Sequence, residues 1–136
     1  MARIVLDVNI VLSAAIKDSL TREFVTKADH EFWVPKQALE KIIKYRGLIL
    51  EKSGLQPGDL DSLLERLFEH ISVMPAGRMS HLQEAKAAMK ETDLEDAVFV
   101  ACALSLPGAV IWSNDKHLKK QKLVRVYTTE EMRGVV

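Results

Sequence analysis

The chain has 136 residues, 48% hydrophobic and 28% charged, which is the composition of one soluble globular domain over residues 1–136. Lysine and arginine number 19, as do aspartate and glutamate, and the resulting zero net charge argues against binding of nucleic acid through bulk charge alone. One cysteine excludes an internal disulfide and a cysteine-based zinc site. The longest apolar run (97–104) is too short for a membrane span and the N-terminus does not resemble a signal peptide, so we expect a cytoplasmic protein.

Strands and helices alternate through the first part of the chain. Arg3–Leu6 is predicted as a strand buried on both faces, because its apolar residues are continuous rather than alternating. A helix is predicted to follow from Ile10, and helical spacing of apolar residues predicts another over 19–29. The segment "EFWVP" (31–35) is predicted as the second strand, and its proline suits the first turn of a helix over 36–45.

The same alternation continues to the end of the chain. After a loop at "KSGLQPGD", Asp59 or Asp61 is expected to cap a helix with an apolar face over 60–68. "ISVMP", "AVIWS" and "VRVYT" are predicted strands, and Thr129 is expected to cap a final helical turn. Helices are predicted at "HLQEAKAAMKE" and "NDKHLKK", and a buried one begins at "DLEDAVFVACALSL". The predicted fold is therefore α/β, a mostly parallel central sheet of about five strands with helices on both faces.

Five acidic residues fall where an open parallel sheet forms its sites, in the crevice beyond the carboxyl ends of the strands. Asp7 follows the first predicted strand and Asp115 follows the fourth. Asp93 and Asp96 stand at the start of the buried helix, three residues apart and so on one face. Glu40 lies on the helix after the second strand. The chain order thus predicts one acidic crevice.

Clustered carboxylates raise one another's pKa, and a hard divalent cation removes that repulsion. Mg²⁺ and Mn²⁺ prefer oxygen ligands and are typically held by one or two carboxylates with water and substrate phosphate. Each acid also has a simpler interpretation: Asp7 and Asp115 as turn residues, Asp93 as a helix N-cap, and Glu40 as a solvated side chain. The metal site is inferred from the joint placement of these residues.

Four segments resemble the PIN domain, the nuclease domain of VapC-like toxins and of RNA-processing enzymes. "IVLDVNIVLSA" resembles the family's opening strand with its first acid, at Asp7, and "FWVPKQALEKI" resembles the segment with the second acid, at Glu40. "DLEDAVFVACAL" and "VIWSNDKHL" resemble the segments with the third and fourth acids, at Asp96 and Asp115. Order and spacing match over almost the whole chain. One departure is Val8, where the family commonly has a hydroxyl residue.

The resemblance implies a PIN-like three-layer sandwich and a metal-dependent ribonuclease. Asp7, Asp96 and Asp115 would hold Mg²⁺ or Mn²⁺, with Asp93 as an additional acid and Glu40 completing the acidic rim. A metal-activated water would then hydrolyse an RNA phosphodiester bond. These implied catalytic residues are Asp7, Glu40, Asp96 and Asp115.

Polar and basic residues near the acids would support this chemistry. Asn9 would hydrogen-bond a metal-binding acid, and Ser113 would orient a ligand or a water. Lysines that flank the acids, among them Lys41 and Lys44, could contact phosphates and so position RNA without reading its sequence. For any single one of them, an ordinary solvated side chain is the more common interpretation. The lysines we assign to RNA binding are Lys36, Lys116, Lys119 and Lys120.

Other functions and partners stay open at this point. The resemblance fits either the toxin of a toxin–antitoxin pair, with an antitoxin or other inhibitor protein as partner, or an RNA-processing nuclease. One alternative is a non-catalytic PIN-like module that binds RNA or protein. Another is a haloacid-dehalogenase-like phosphatase, although that chemistry wants a second Asp where this chain has Asn9. The apolar face over 60–68, with Trp33 and Trp112 expected near the surface, either forms a homodimer interface or fills the core.

Overall fold

The polypeptide folds around one sheet of five strands, all paired in parallel. The computed structural model describes residues 2–17, 19–89 and 94–134. The strands are β1 (Arg3–Leu6), β2 (Glu31–Pro35), β3 (Ile71–Met74), β4 (Val110–Trp112) and β5 (Val126–Tyr127). The first helices are α1 (Val8–Ile16), α2 (Ser19–Lys27), α3 (Lys36–Lys44), α4 (Arg46–Ser53) and α5 (Pro57–Phe68). The remaining helices are α6 (Leu82–Met89), α7 (Ala97–Leu104), α8 (Lys116–Lys120) and α9 (Thr129–Met132), with short 3₁₀ turns at Ala76–Arg78 and Leu94–Asp96.

The strand order is β3-β2-β1-β4-β5, so the sheet grows outward in both directions from β1. The chain first adds β2 and β3 on one side, and then returns to add β4 and β5 on the other. After β1 the chain crosses to β2 on one side, and after β4 it crosses to β5 on the other side. These two connections diverge, which opens a crevice at the carboxyl ends of β1 and β4. Leu6 pairs with Trp112 as the last residues of the two strands, so the residues that follow them enter this crevice together.

Burial on both faces of the sheet confirms the predicted α/β fold. Ile4, Val5 and Leu6 are successive residues of β1 and all are fully buried, which requires a helical layer on each side. One layer contains α7, which packs against β1, β2 and β4. Among the described residues, no helix is long and apolar enough to cross a membrane.

Helix α4 was not predicted from the sequence. Only Ile49 of this helix is buried, so its apolar pattern is weak. It is held instead by tertiary and terminal interactions: Arg46 makes two hydrogen bonds, of 2.9 and 2.8 Å, to the Asp61 carboxylate on α5. At its other end Gly54 adopts a left-handed conformation with φ 71°, which ends the helix at little cost for a residue without Cβ.

Several predicted helix ends were wrong. The N-cap of α5 is Gln56, and neither Asp59 nor Asp61 caps it, because Asp61 pairs with Arg46. The last helix is capped by Thr128 and not by Thr129; Thr128 and Glu131 form a reciprocal capping box. Helix α1 begins two residues before the predicted Ile10.

Trp112 is buried, contrary to the prediction, and Trp33 is half-buried. The indole N–H of Trp112 donates to the Thr129 hydroxyl at 3.0 Å, which explains how this residue is satisfied inside. The apolar face of α5 fills the core through Leu60 and Leu67, both fully buried. Leu63, Leu64 and Phe68 are half-buried, and the homodimer stays a prediction.

Cys102, in α7, is fully buried, and burial raises the pKa of its thiol to about 12. We expect no alkylation of the native protein by iodoacetamide at pH 8 over an hour, because the thiolate is the reactive form. Intact mass before and after guanidinium denaturation measures this directly. Rapid labelling of the native protein would contradict the described packing of α7.

Candidate active site

The crevice between β1 and β4 brings Asp7 and Ser113 into contact. The Asp7 N–H donates to the Trp112 carbonyl at 3.1 Å, which extends the β1–β4 pairing by one residue past each strand. The Ser113 hydroxyl then donates to Asp7 Oδ2 at 2.7 Å. Asp7 is only 6% exposed and Ser113 only 1%, so this hydrogen bond lies in a largely dry environment. Ser113 therefore fixes the orientation of the Asp7 carboxylate.

The same hydroxyl also positions Asp115. Ser113 Oγ accepts the Asp115 N–H at 3.0 Å, and Asp115 Oδ1 accepts the His117 N–H at 2.8 Å. Asp115 thus caps α8 while keeping about a third of its side chain (34%) open to solvent. Asp115 is therefore a helix cap that also lies close to Asp7, and its part in a metal site stays a prediction.

Burial raises the pKa of Asp7 above its ordinary value, since a carboxylate loses its hydration in the dry crevice. The Ser113 hydroxyl and the nearby N–H groups of Asn9 and Val8 act in the opposite direction. The negative charge of Asp115 raises the pKa of Asp7 further. The two carboxylates are therefore close enough to repel each other, and a cation between them would relieve that repulsion.

The loop after β4 is held by the start of the last helix, a set of contacts that the sequence analysis did not predict. Thr129 Oγ1 accepts hydrogen bonds from Trp112 Nε1 and Asn114 Nδ2, both at 3.0 Å. The Thr129 N–H donates to Asn114 Oδ1 at 2.8 Å. These contacts hold both sides of Ser113, and so fix the direction in which its hydroxyl points.

Asp96 lies at the end of the 3₁₀ turn before α7 and lines a cleft of about 280 Å³ between that turn and α3. One wall is apolar and includes Ala38, Val98 and Phe99. The lining residues are Gln37, Ala38, Lys41, Lys44, Tyr45, Glu95, Asp96, Val98 and Phe99. This cleft is the second part of the candidate site.

Glu40 is exposed and is not among the residues that line this cleft. The buried residues Ala38 and Ile42 fix the rotation of α3. At about 100° per residue, Lys41 then faces the cleft and Glu40 points about 100° away from it. A role for Glu40 in the site stays a prediction. The neighbouring residue of α3, the cation Lys41, lines the cleft that Asp96 lines.

The other predicted residues occupy varied positions. Asn9 has an exposed side chain, and its backbone N–H acts on Asp7. Lys36, Lys116 and Lys120 are exposed. Lys119 forms an ion pair with Glu131 that, with the hydrogen bond from Thr128, lowers the pKa of Glu131 to about 2. Asp93 lies outside the described residues.

The donor set of the crevice fits Mg²⁺ or Mn²⁺. Within residues 2–17, 19–89 and 94–134, no three histidine, cysteine or acidic side chains form a cluster that could hold a metal by themselves. Mg²⁺ does not require one, because it commonly binds through one or two carboxylates and keeps its other positions for water and substrate phosphate. Asp7 and Asp115 supply hard oxygen donors at one point, and their mutual repulsion favours a cation there.

Comparison with known proteins agrees with this description. A family model described as "PIN domain" matches residues 5–134. Among solved structures, the chain is similar to one from the VapBC2 complex of Rickettsia felis bound to a DNA fragment from their promoter, with a TM-score of 0.68 and 14% identity. That similarity covers 93% of this chain and 98% of the other, and at this identity it shows the fold alone. No curated protein matches the sequence.

We expect Asp7→Asn to stabilise the metal-free protein at pH 7. The pKa of Asp7 is higher in the folded than in the unfolded state, so ionisation of Asp7 costs stability as pH rises above the unfolded pKa, and this cost is present at neutral pH. Removing the charge should therefore raise Tm, and in a domain of this size each 1 kcal/mol of added stability corresponds to about 3 °C.

The measurement is circular dichroism melting in EDTA at pH 7 and pH 3. At pH 3 both proteins are uncharged at this position and the difference should vanish. Asp29→Asn, an exposed aspartate before the amino end of β2, is the control. A lower Tm for Asp7→Asn at pH 7 would contradict the described electrostatics.

Proposed function

This chain belongs to the PIN domain family, whose members are generally divalent-metal-dependent nucleases, and we propose on that premise that it is a Mg²⁺- or Mn²⁺-dependent endoribonuclease. The observation that carries the proposal is the joint placement of Asp7 and Asp115 by one buried hydroxyl, Ser113, at the switch point of the sheet. A pair of repelling carboxylates in a dry crevice serves binding of a cation better than it serves stability.

Each residue has a defined part in the proposed reaction. Asp7, Asp96 and Asp115 would hold the metal, and Asp93 is a further candidate. When bound, the ion supplies a lowered pKa for an attacking water and neutralisation of charge on the phosphate. Ser113 keeps the Asp7 oxygens in one orientation, so that little reorganisation is needed when substrate arrives.

The bonds change in a simple order. The oxygen of water attacks phosphorus and releases a proton, the P–O bond to the leaving nucleoside breaks, and the leaving oxygen takes up a proton. No nucleophilic side chain is required, because water is the attacking group; the Cys102 thiol and the Ser113 hydroxyl are both buried. The phosphatase alternative loses support with the family match, whereas a non-catalytic RNA- or protein-binding module remains the alternative to test.

We further infer a biological setting in which the nuclease is either a toxin restrained by an antitoxin or an RNA-processing enzyme. The similar structure from Rickettsia felis belongs to a VapBC2 complex, which supports the first setting at the level of fold. RNA is the substrate in both settings.

The central test is cleavage of a labelled single-stranded RNA by purified protein with Mn²⁺. We expect cleavage that EDTA abolishes and that Asp96→Asn reduces by at least about 100-fold, since loss of residues that merely support a metal ligand already costs about 10–100-fold. RNA binding by Asp96→Asn should be undiminished, because the change removes no positive charge. Asp29→Asn is the matched control and should cleave at the wild-type rate.

Cleavage that survives both EDTA and Asp96→Asn would mean that another site or a contaminant acts. RNA that is bound but never cut, over several sequences and metals, would favour the non-catalytic module.

The lysines of α8 should separate into two kinds. Lys120→Ala should flatten the salt dependence of RNA binding by about 0.7 in log–log slope with no change in Tm, as expected for one lost phosphate contact on a single strand. Lys119→Ala should also lower Tm, because it removes the ion pair with Glu131 of the capping box. Fluorescence anisotropy at several salt concentrations and thermal melting measure the two effects, and equal Tm values for the two variants would contradict the assignment.

A further inference from the structure

We propose that the cleft between α3 and the start of α7 is a subsite for one nucleotide of single-stranded RNA, in which Lys41 binds a phosphate, Tyr45 stacks on a base and Gln37 accepts a hydrogen bond from the nucleotide. The proposal rests on the proposed function and names how that site holds its substrate. Four features of the cleft carry it.

Lys41 lines two neighbouring depressions. It lines the cleft with Asp96, and it also lines an apolar groove with Val8, the residue after Asp7. Its ammonium lies 3.8 Å from the Glu95 carboxylate, and the Lys41 side chain is 49% exposed. Glu95 is 91% exposed, so this ion pair is weak and a phosphate oxygen can replace it. A phosphate held by Lys41 would lie in the cleft that Asp96 lines.

Tyr45 supplies an aromatic surface at the same opening. Tyr45 is 43% exposed and lines both depressions. Lys44 Nζ lies 5.4 Å from the centre of the Tyr45 ring, so a positive charge accompanies the exposed aromatic side chain. Proteins bind single-stranded nucleic acid by combining basic side chains, which contact the backbone, with exposed aromatic rings, which stack on bases. Tyr45 with Lys44 beside it offers both kinds of contact.

Gln37 contains the unsatisfied group of the cleft. Among the described residues, its Oε1 is the one buried side-chain N or O atom without a hydrogen-bond partner. A buried acceptor left unpaired is costly, so a ligand that brings a donor is favoured. RNA offers such donors in the exocyclic amines of adenine, cytosine and guanine and in the ribose 2′-hydroxyl. An apolar ligand would leave the atom unpaired.

The size and walls of the cleft fit one base. Its volume of about 280 Å³ is at the lower limit for small-molecule sites. Ala38, Val98 and Phe99 give it an apolar wall, and Gln37 and Lys41 add polar groups to the lining. A base packed flat against the apolar wall, with the phosphate of its nucleotide at Lys41, would contact both the apolar and the charged residues of the cleft.

The test measures binding in EDTA, where no cleavage occurs. A fluorescein-labelled octanucleotide of RNA, titrated with protein, gives Kd by anisotropy. We expect Tyr45→Ala to weaken binding by about 5- to 100-fold, the effect of losing one stacked base, and Tyr45→Phe to bind within about twofold of wild type. Circular dichroism confirms that each variant is folded.

Charge and the polar contact are tested in the same assay. Lys41→Ala and Lys44→Ala should each reduce the salt slope of binding by about 0.7. Lys27→Ala should leave the slope unchanged, because Lys27 ends α2, pairs with Glu23 and lines neither depression. Gln37→Met keeps the length of the side chain and removes the acceptor. Its binding to RNA, to DNA of the same sequence and to oligo(U) identifies the donor: loss of RNA-over-DNA preference assigns the 2′-hydroxyl, and loss of preference over oligo(U) assigns a base amine.

The outcomes separate the subsite from the proposed reaction. If Tyr45→Ala and Lys41→Ala bind RNA as wild type does while metal-dependent cleavage is intact, the subsite is wrong and the proposed function stands. If binding depends on these residues but no RNA is cut, the subsite stands and the nuclease assignment fails. Failure of the wild-type protein to bind any oligonucleotide overturns the subsite. Lys41 and Lys44 would then be candidates for binding an acidic protein segment.

Discussion

The candidate site depends on the hydrogen bond from Ser113 to Asp7, the residues that follow β4 and β1. Between these two strands the direction in which the chain adds strands to the sheet reverses. A carboxylate that is 6% exposed needs a donor, and the β1–β4 register places Ser113 in position to provide one. Because Ser113 also accepts the Asp115 N–H, one hydroxyl sets the positions of two acids. Burial raises the pKa of Asp7 in spite of this donor, and a bound cation would lower it again.

The sheet could be predicted from the sequence because buried parallel strands are continuously apolar, as in β1, and the rule for sites in open sheets then identified Asp7 and Asp115. Helix α4 could not, because its stability comes from the Arg46–Asp61 contact and not from a repeating apolar pattern. The burial of Trp112 likewise depends on Thr129, a partner 17 residues away, which local patterns do not contain.

The α3 part of the site was harder, because on a helix a difference of one residue changes direction by about 100°. The motif selected Glu40, whereas the burial of Ala38 and Ile42 turns Lys41 toward the cleft. The spacing of the buried residues of α3, used as the starting point, predicts this orientation of Lys41. The cleft itself, with Gln37 and Tyr45, requires the distance between α3 and α7, which a single sequence does not supply.

The contacts that hold Ser113 have a consequence for the order in which the molecule is made. The acid that leaves the ribosome first, Asp7, meets its hydroxyl partner 106 residues later, and Thr129 must follow before the loop after β4 is tied down. During synthesis β1 is therefore made long before the residues that complete its surroundings. A nascent chain lacks an assembled centre until both Ser113 and Thr129 have been made, so the centre forms through contacts between residues far apart in the chain, which are slow to close.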